Sequence, residues 1–190
     1  MTPPRLGSDA TALCLACGFC CDGTLHTHTI LLGEEVRAAT DVGLVVDIMR
    51  DKPAFRQPCT MFRDGCCSIY ERRPHVCRRY ECALLKRHLG GEITLEQALR
   101  VVGIAQKQLG VFRGRVPDAV SFMRYLKELE AAADAAGADA TGDNGQAAPV
   151  ALDAEASNHL VALVVYLTRH FGGTTTVDDP VLSRTPVFRV

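Results

Sequence analysis

The sequence predicts a mixed α+β fold dominated by helices, and three observations carry that expectation. All nine cysteines fall in two knots, Cys14 to Cys21 and Cys59 to Cys82, with none after residue 82. Between and around the knots the runs are short, β-branched and punctuated by turn residues. Beyond residue 94 the chain changes character, showing apolar stripes at helical spacing. The reading is therefore a small cysteine-rich core at 12–90 and a helical extension over 91–190, interrupted by a flexible linker at 131–156.

Residues 1–12 read as a flexible lead, and Cys14 to Cys21 (CLACGFCC) as a tight loop in which Gly18 lets backbone amides turn toward sulfur. Over 24–32 the sequence TLHTHTILL alternates and is rich in β-branched residues, which predicts a strand with His26 and His28 on one face. GEEVRAATDVG follows as a short helix, with Glu34 and Glu35 in the first turn and a stop near Gly43. Leu44 to Met49 fits a buried strand or more helix. Pro58 and the Asp64-Gly65 pair mark turns. Cys67 to Tyr70 is expected as a short strand. Pro74 stands where a first helical position belongs, opening a helix that runs to about residue 89 and ends at Gly90-Gly91.

Thr94 with Gln97 forms a capping-box signature for the next helix, where Leu95, Leu99, Val102 and Leu109 recur on one stripe. Pro117-Asp118 opens another, with Phe122, Leu126 and Leu129 inward. From Ala131 to Ala156 the sequence falls to Ala, Gly and Asp, and is read as the linker. A last helix carries Leu160, Val164, Leu167 and Phe171 and stops at Gly172-Gly173. The tail ends in a candidate edge strand.

Composition narrows the function classes. With 190 residues and 47% hydrophobic content, the chain can bury an ordinary core. The formal charge of -1 argues against a globally basic nucleic-acid binder. Charge is uneven, however: residues 50–90 carry ten Lys/Arg against four Asp/Glu, whereas 131–157 holds acids and no base. The start has no apolar run behind a basic residue, and Leu160 to Leu167 is too short to span a bilayer, which takes about 20 residues. The expectation is a cytoplasmic protein without membrane contact. In that compartment clustered cysteines point to metal ligands rather than disulfides, and an odd count leaves a disulfide framework incomplete.

Two cysteines in C-x2-C spacing place both sulfurs on one side of a turn. Cys14/Cys17 and Cys17/Cys20 both have it. Zinc takes four ligands in a tetrahedron, often from two such pairs. The run C-x2-C-x2-C also resembles the loop that holds three corners of a [4Fe–4S] cluster, although no proline follows Cys77 as in the ferredoxin form. Eight ligands, Cys14, Cys17, Cys20, Cys21, Cys59, Cys67, Cys77 and Cys82, with Cys66 as the spare, would suit two four-sulfur sites or one polynuclear site. On a continuous helix Cys77 and Cys82 are too splayed for one ion, so either the helix starts after Cys77 or the two face separate metals.

The ordered combination Cys14-x2-Cys17-Gly18-x-Cys20-Cys21, Pro58-Cys59, then Cys67-Ser68-Ile69-Tyr70-x2-Arg73-Pro74-x2-Cys77-Arg78 resembles the YkgJ-type cysteine-cluster family over roughly residues 12–90. Tyr80-x-Cys82-x-Leu84-Leu85 looks like a longer subgroup. The resemblance implies chelation of zinc or iron through the eight cysteines; the C-x2-C-x2-C run and the surplus of thiolates favour an iron–sulfur cluster slightly over zinc. A relative with a similar cysteine motif accompanies protein-lysine methylation, but no methyltransferase region is recognisable here.

Other residues have ordinary readings beside functional ones. His26 and His28 are more simply solvated than ligating. Tyr70 reads as a core or hydrogen-bonding aromatic. Arg73 and Arg78 either offset the charge of a thiolate site or form surface ion pairs. The basic run Arg72 to Arg87 has few aromatics to stack bases, which disfavours nucleic acid. No phosphate loop, dinucleotide fingerprint or nucleophile elbow occurs. The expected function is a metal-binding protein in an accessory, sensor or redox role, with a protein partner left open. The alternatives are an iron–sulfur-dependent enzyme or a nucleic-acid-binding zinc module.

Overall fold

The computed structural model describes residues 8–114, 121–137 and 152–172. The expected helix start at Pro117-Asp118, most of the 131–156 linker and the tail after Gly172 lie outside the described residues. The fold is helix-dominated α+β, as the sequence predicts.

Helix α1 spans Ser8–Cys17, where the sequence suggested a flexible lead and a loop. Ala10, Leu13, Cys14 and Cys17 share its inward face, but Ala12, Leu15 and Ala16 are apolar as well, so the sequence shows almost no amphipathic stripe there. Ala10 and Leu13 are buried. Gln106 donates its Nε2–H to the carbonyl of Ala16 (2.9 Å), satisfying one of the end carbonyls that α1 cannot use itself.

Strand β1 is confined to His28–Ile30. Helix α2 follows a 3₁₀ turn and covers Val36–Asp41. The ambiguous stretch after Gly43 becomes strand β2, Val46–Met49, which pairs antiparallel with β3, Lys52–Arg56. The sheet order is β1-β3-β2. β3 was not expected. Its hairpin turns on Arg50 and Asp51, at φ 50° and 61°, instead of the Asn-Gly or Asp-Gly that usually marks such a turn. A second hairpin joins β4, Phe62–Arg63, to β5, Cys66–Cys67, through the expected Asp64-Gly65 turn. In place of the strand expected at Cys67 to Tyr70 there is the two-residue β5, which ends at Cys67, and Tyr70–Arg72 forms a 3₁₀ turn.

The helix expected from Pro74 to residue 89 is two helices. α3 is His75–Arg79 with Pro74 as its cap, and α4 is Ala83–Leu89 with Cys82 as its cap. Tyr80 is extended between them, its side chain meeting the His26 ring edge-on at 4.9 Å. Helix α5, Leu95–Arg113, begins with the expected capping box: Thr94 N–H donates to Gln97 Oε1 at 2.8 Å, and Gln97 N–H to Thr94 Oγ1 at 3.2 Å. Helix α6 spans Phe122–Gly137 and so extends into the stretch read as linker. Helix α7, Ala154–Phe171, is capped by Asp153, which accepts from Ala156 N–H at 2.7 Å.

Two apolar clusters result. The larger gathers α1, α4, α5, α6 and α7 around Leu84, Leu109, Leu163 and the edge-to-face pair Phe19–Phe171. It runs from Ala10 to Phe171 and so joins the cysteine-rich half to the helices that follow. The smaller comprises Leu31, Ala39, Leu44, Phe55, Met61 and Ile69 on the sheet side.

Candidate metal centre

The cysteines gather where these clusters meet. Cys14 and Cys17, three apart, share a face of the last turn of α1. Gly18 ends the helix at φ 69°, its N–H donating to the Cys14 carbonyl at 3.1 Å. A Cβ at residue 18 would lie 2.7 Å from Cζ of Phe62, so the two knots touch here through the absence of a side chain. The Cys21 and Asp22 amides donate back to the Gly18 carbonyl at 2.8 and 3.0 Å, closing the turn that carries Cys20 and Cys21. Asp22 holds that turn to α5, with its Oδ2 2.7 Å from the Arg113 guanidinium.

Cys59 is tied to the first knot by its own backbone: its N–H donates to the Cys21 carbonyl at 2.7 Å. The β4–β5 hairpin sets Cys67 opposite Phe62 and Cys66 opposite Arg63. Ser68 fixes the far side, with both N–H and Oγ–H donating to the Met61 carbonyl at 2.9 Å. The Glu35 carboxylate accepts from His75 N–H at the start of α3, the helix that carries Cys77. Cys82 then caps α4, its Sγ accepting from Leu85 N–H at 3.4 Å.

All nine cysteines are free thiols, and all nine line one cavity of about 240 Å³. His26, His28, Tyr70, Arg73 and Tyr80 complete its wall. Among the described residues, no group of three or more His, Cys, Asp or Glu side chains is arranged to hold a metal ion. The sulfurs stand around the space as a wall. The eight expected ligands are therefore brought together as lining residues, with Cys66 the exposed member.

Electrostatics set the character of this wall. Burial raises the thiols of Cys14, Cys17, Cys20, Cys59, Cys77 and Cys82 above their ordinary range, Cys77 to about 12. Neighbouring sulfurs add to the rise for Cys14, Cys17, Cys20, Cys59 and Cys77. Backbone N–H groups of Leu85 and Leu84 pull Cys82 the other way, as expected for a thiolate at a helix start. Cys21 and Cys67 form a hydrogen-bonded pair: Cys21 keeps its proton and donates, so Cys67 is lowered to about 6. Arg73 lies 3.7 Å over the Tyr70 ring and favours the thiolates of Cys14, Cys67 and Cys77. Arg78 is exposed on the outer side of α3. Of the two arginines, Arg73 is thus the one that faces sulfur.

The donor set fits a thiophilic metal. Desolvated thiols crowded on one wall resist ionisation unless a cation neutralises them, and ligation by zinc or iron requires the thiolate form. Bound there, zinc would supply a rigid tetrahedral staple, and an iron–sulfur cluster a one-electron centre. Glu35, Tyr80 and the Gly18–Phe62 contact were missed in the sequence. Glu35 reads as a first-turn acid, and nothing in its spacing indicates that it caps a helix forty residues on.

A fold that wraps two cysteine knots around one thiol-lined cavity defines a cysteine-cluster protein. Residues 13–99 match the model of the CxxCxxCC family, described as a putative zinc- or iron-chelating domain. That segment is a domain of this family, consistent with the YkgJ-type resemblance. No curated protein and no solved structure matches the chain. No helix among the described residues is long and apolar enough to cross a membrane.

Proposed function

We propose that the protein holds an iron–sulfur cluster through its cysteine knots and serves as an accessory, sensor or redox protein in a reducing, cytoplasmic setting. The observation that carries this is the convergence of all nine cysteines, from segments some forty residues apart, on one cavity. The surplus of thiols supports a cluster: nine sulfurs line the wall, more than the four that a lone zinc ion takes. The triple C-x2-C-x2-C run supports the same choice. Zinc is the second reading, supported by the C-x2-C pair on the last turn of α1 and the glycine turn beyond it.

In either case a protein partner stays open and nucleic acid is disfavoured. The exposed Arg72, Arg78 and Arg79 leave the nucleic-acid alternative testable as salt-dependent binding lost on their neutralisation. The deciding experiment is anaerobic purification with metal analysis, acid-labile sulfide determination and a visible spectrum. Iron, sulfide and broad visible absorption support the cluster. A colourless protein loaded with zinc selects the second reading, and one with neither metal rejects both.

A further inference from the structure

We infer that the cavity comprises two adjoining four-thiolate sites: Cys14, Cys17, Cys20 and Cys82 form one, Cys21, Cys59, Cys67 and Cys77 the other, and Cys66 belongs to neither. This rests on the metal-binding reading above and divides its donors, so each site would take one zinc ion or one four-sulfur cluster.

Packing supports the division. Cys14, Cys17 and Cys82 lie against the large helical cluster, whereas Cys59, Cys67 and Cys77 lie against the small sheet-side cluster. Cys20 and Cys21 occupy the turn between, and adjacent residues cannot both aim at one point. The backbone assigns Cys21 to the sheet side, because its carbonyl accepts from Cys59 N–H at 2.7 Å. Its thiol also donates to Cys67.

Neighbour relations among the sulfurs follow the same line. Cys82 acts on Cys14, Cys17 and Cys20, while Cys59 and Cys67 both act on Cys21 and Cys77. Across the division, Cys20 acts on its sequence neighbour Cys21, and Cys77 acts on Cys20 less than Cys17, Cys82 or Cys14 does. The break between α3 and α4 is what separates Cys77 from Cys82. Arg73 faces Cys14 of one set and Cys67 and Cys77 of the other, so it sits on the wall common to both. Cys66, opposite Arg63 on the hairpin, is exposed.

The test is metal per chain in the full-length protein and its serine variants, purified anaerobically. Cys82→Ser and Cys77→Ser should each lose half of the wild-type metal. The Cys14→Ser/Cys82→Ser double should lose no more than half, the Cys77→Ser/Cys82→Ser double all of it, and Cys66→Ser none. The half retained reports that the variant is folded. If a single variant unfolds, the wild-type protein loaded with one equivalent of zinc and then alkylated gives the same information by mass spectrometry. Protection should appear in two blocks of four, with Cys66 always modified. One substitution that empties an otherwise folded protein, or protection that mixes the blocks, would overturn the division and leave metal binding intact. A wild-type protein that takes up no metal would instead reject the reading on which it rests.

Discussion

The helical and sheet sides of this molecule hold themselves together differently. The helical side buries large side chains, among them Leu84, Leu109, Leu163 and Phe171 from its helices and Phe19 from the turn after α1, at 2% exposure or less. The sheet-side cluster has six buried residues, and Ala39 is one of them. Its strands are two to five residues long. At about 25 cal/mol per Å² of buried apolar surface, the second cluster stabilises far less than the first. Cys59, Cys67 and Cys77 pack against it. Cys14, Cys17 and Cys82 pack against the larger cluster, so the thiol wall lines both sides, but only on the sheet side does it border a core this small.

Metal removal should give the largest effect, since structural thiolate sites contribute about 10 kcal/mol or more at neutral pH. On chelation, amide exchange should accelerate in β2, β3 and the β4–β5 hairpin while α5 and α7 stay protected. Uniform loss of protection would break the comparison. Next comes Leu163→Ala, which should cost about 2–5 kcal/mol in denaturant unfolding, with or without metal. An effect confined to the metal-loaded protein would mean that the helical side leans on the site after all.

Titration of the reduced, metal-free protein sharpens the contrast on a smaller scale. The buried thiols with raised values stabilise the fold below the ordinary thiol pKa of 9.0 and cease to do so as pH climbs toward their folded values. Thermal midpoints should therefore fall above about pH 9. Cys67 runs the opposite way, contributing above 9.0 and losing that contribution as pH drops through about 6. Cys67→Ala should remove the acid-side limb and, because Cys67 also raises Cys21, Cys59 and Cys77, weaken the alkaline one. The smallest expected effect is Thr94→Ala, about 1 kcal/mol from loss of the α5 cap, read as a shift in the thermal midpoint.

The contrast also explains what could be read before any coordinates. The stripe of α5, its capping box and the Leu160, Val164, Leu167, Phe171 face of α7 are local patterns, and the structure keeps them. The Asp64-Gly65 turn is equally local. β3 escaped notice because its hairpin bends at Arg50-Asp51, residues that carry no turn signal. α1 was missed because cysteines occupy half of its inward face and read as ligands before they read as a helix. At the site, the cysteine knots announced themselves by clustering. The Glu35 cap on α3 and the Tyr80 break depend on partners distant in sequence, which no spacing rule reaches.

One sulfur belongs both to the thiol wall and to the helical body. Cys82 starts helix α4 by accepting the Leu85 amide, and Leu84 and Leu85 are seated deep among the helices. Chemistry on that atom, whether ligation, oxidation or alkylation, competes for the lone pairs that anchor the first turn. An event at the thiol wall would consequently be felt as a loosened or tightened helix start in the helical body, giving the protein a mechanical route from sulfur to shape.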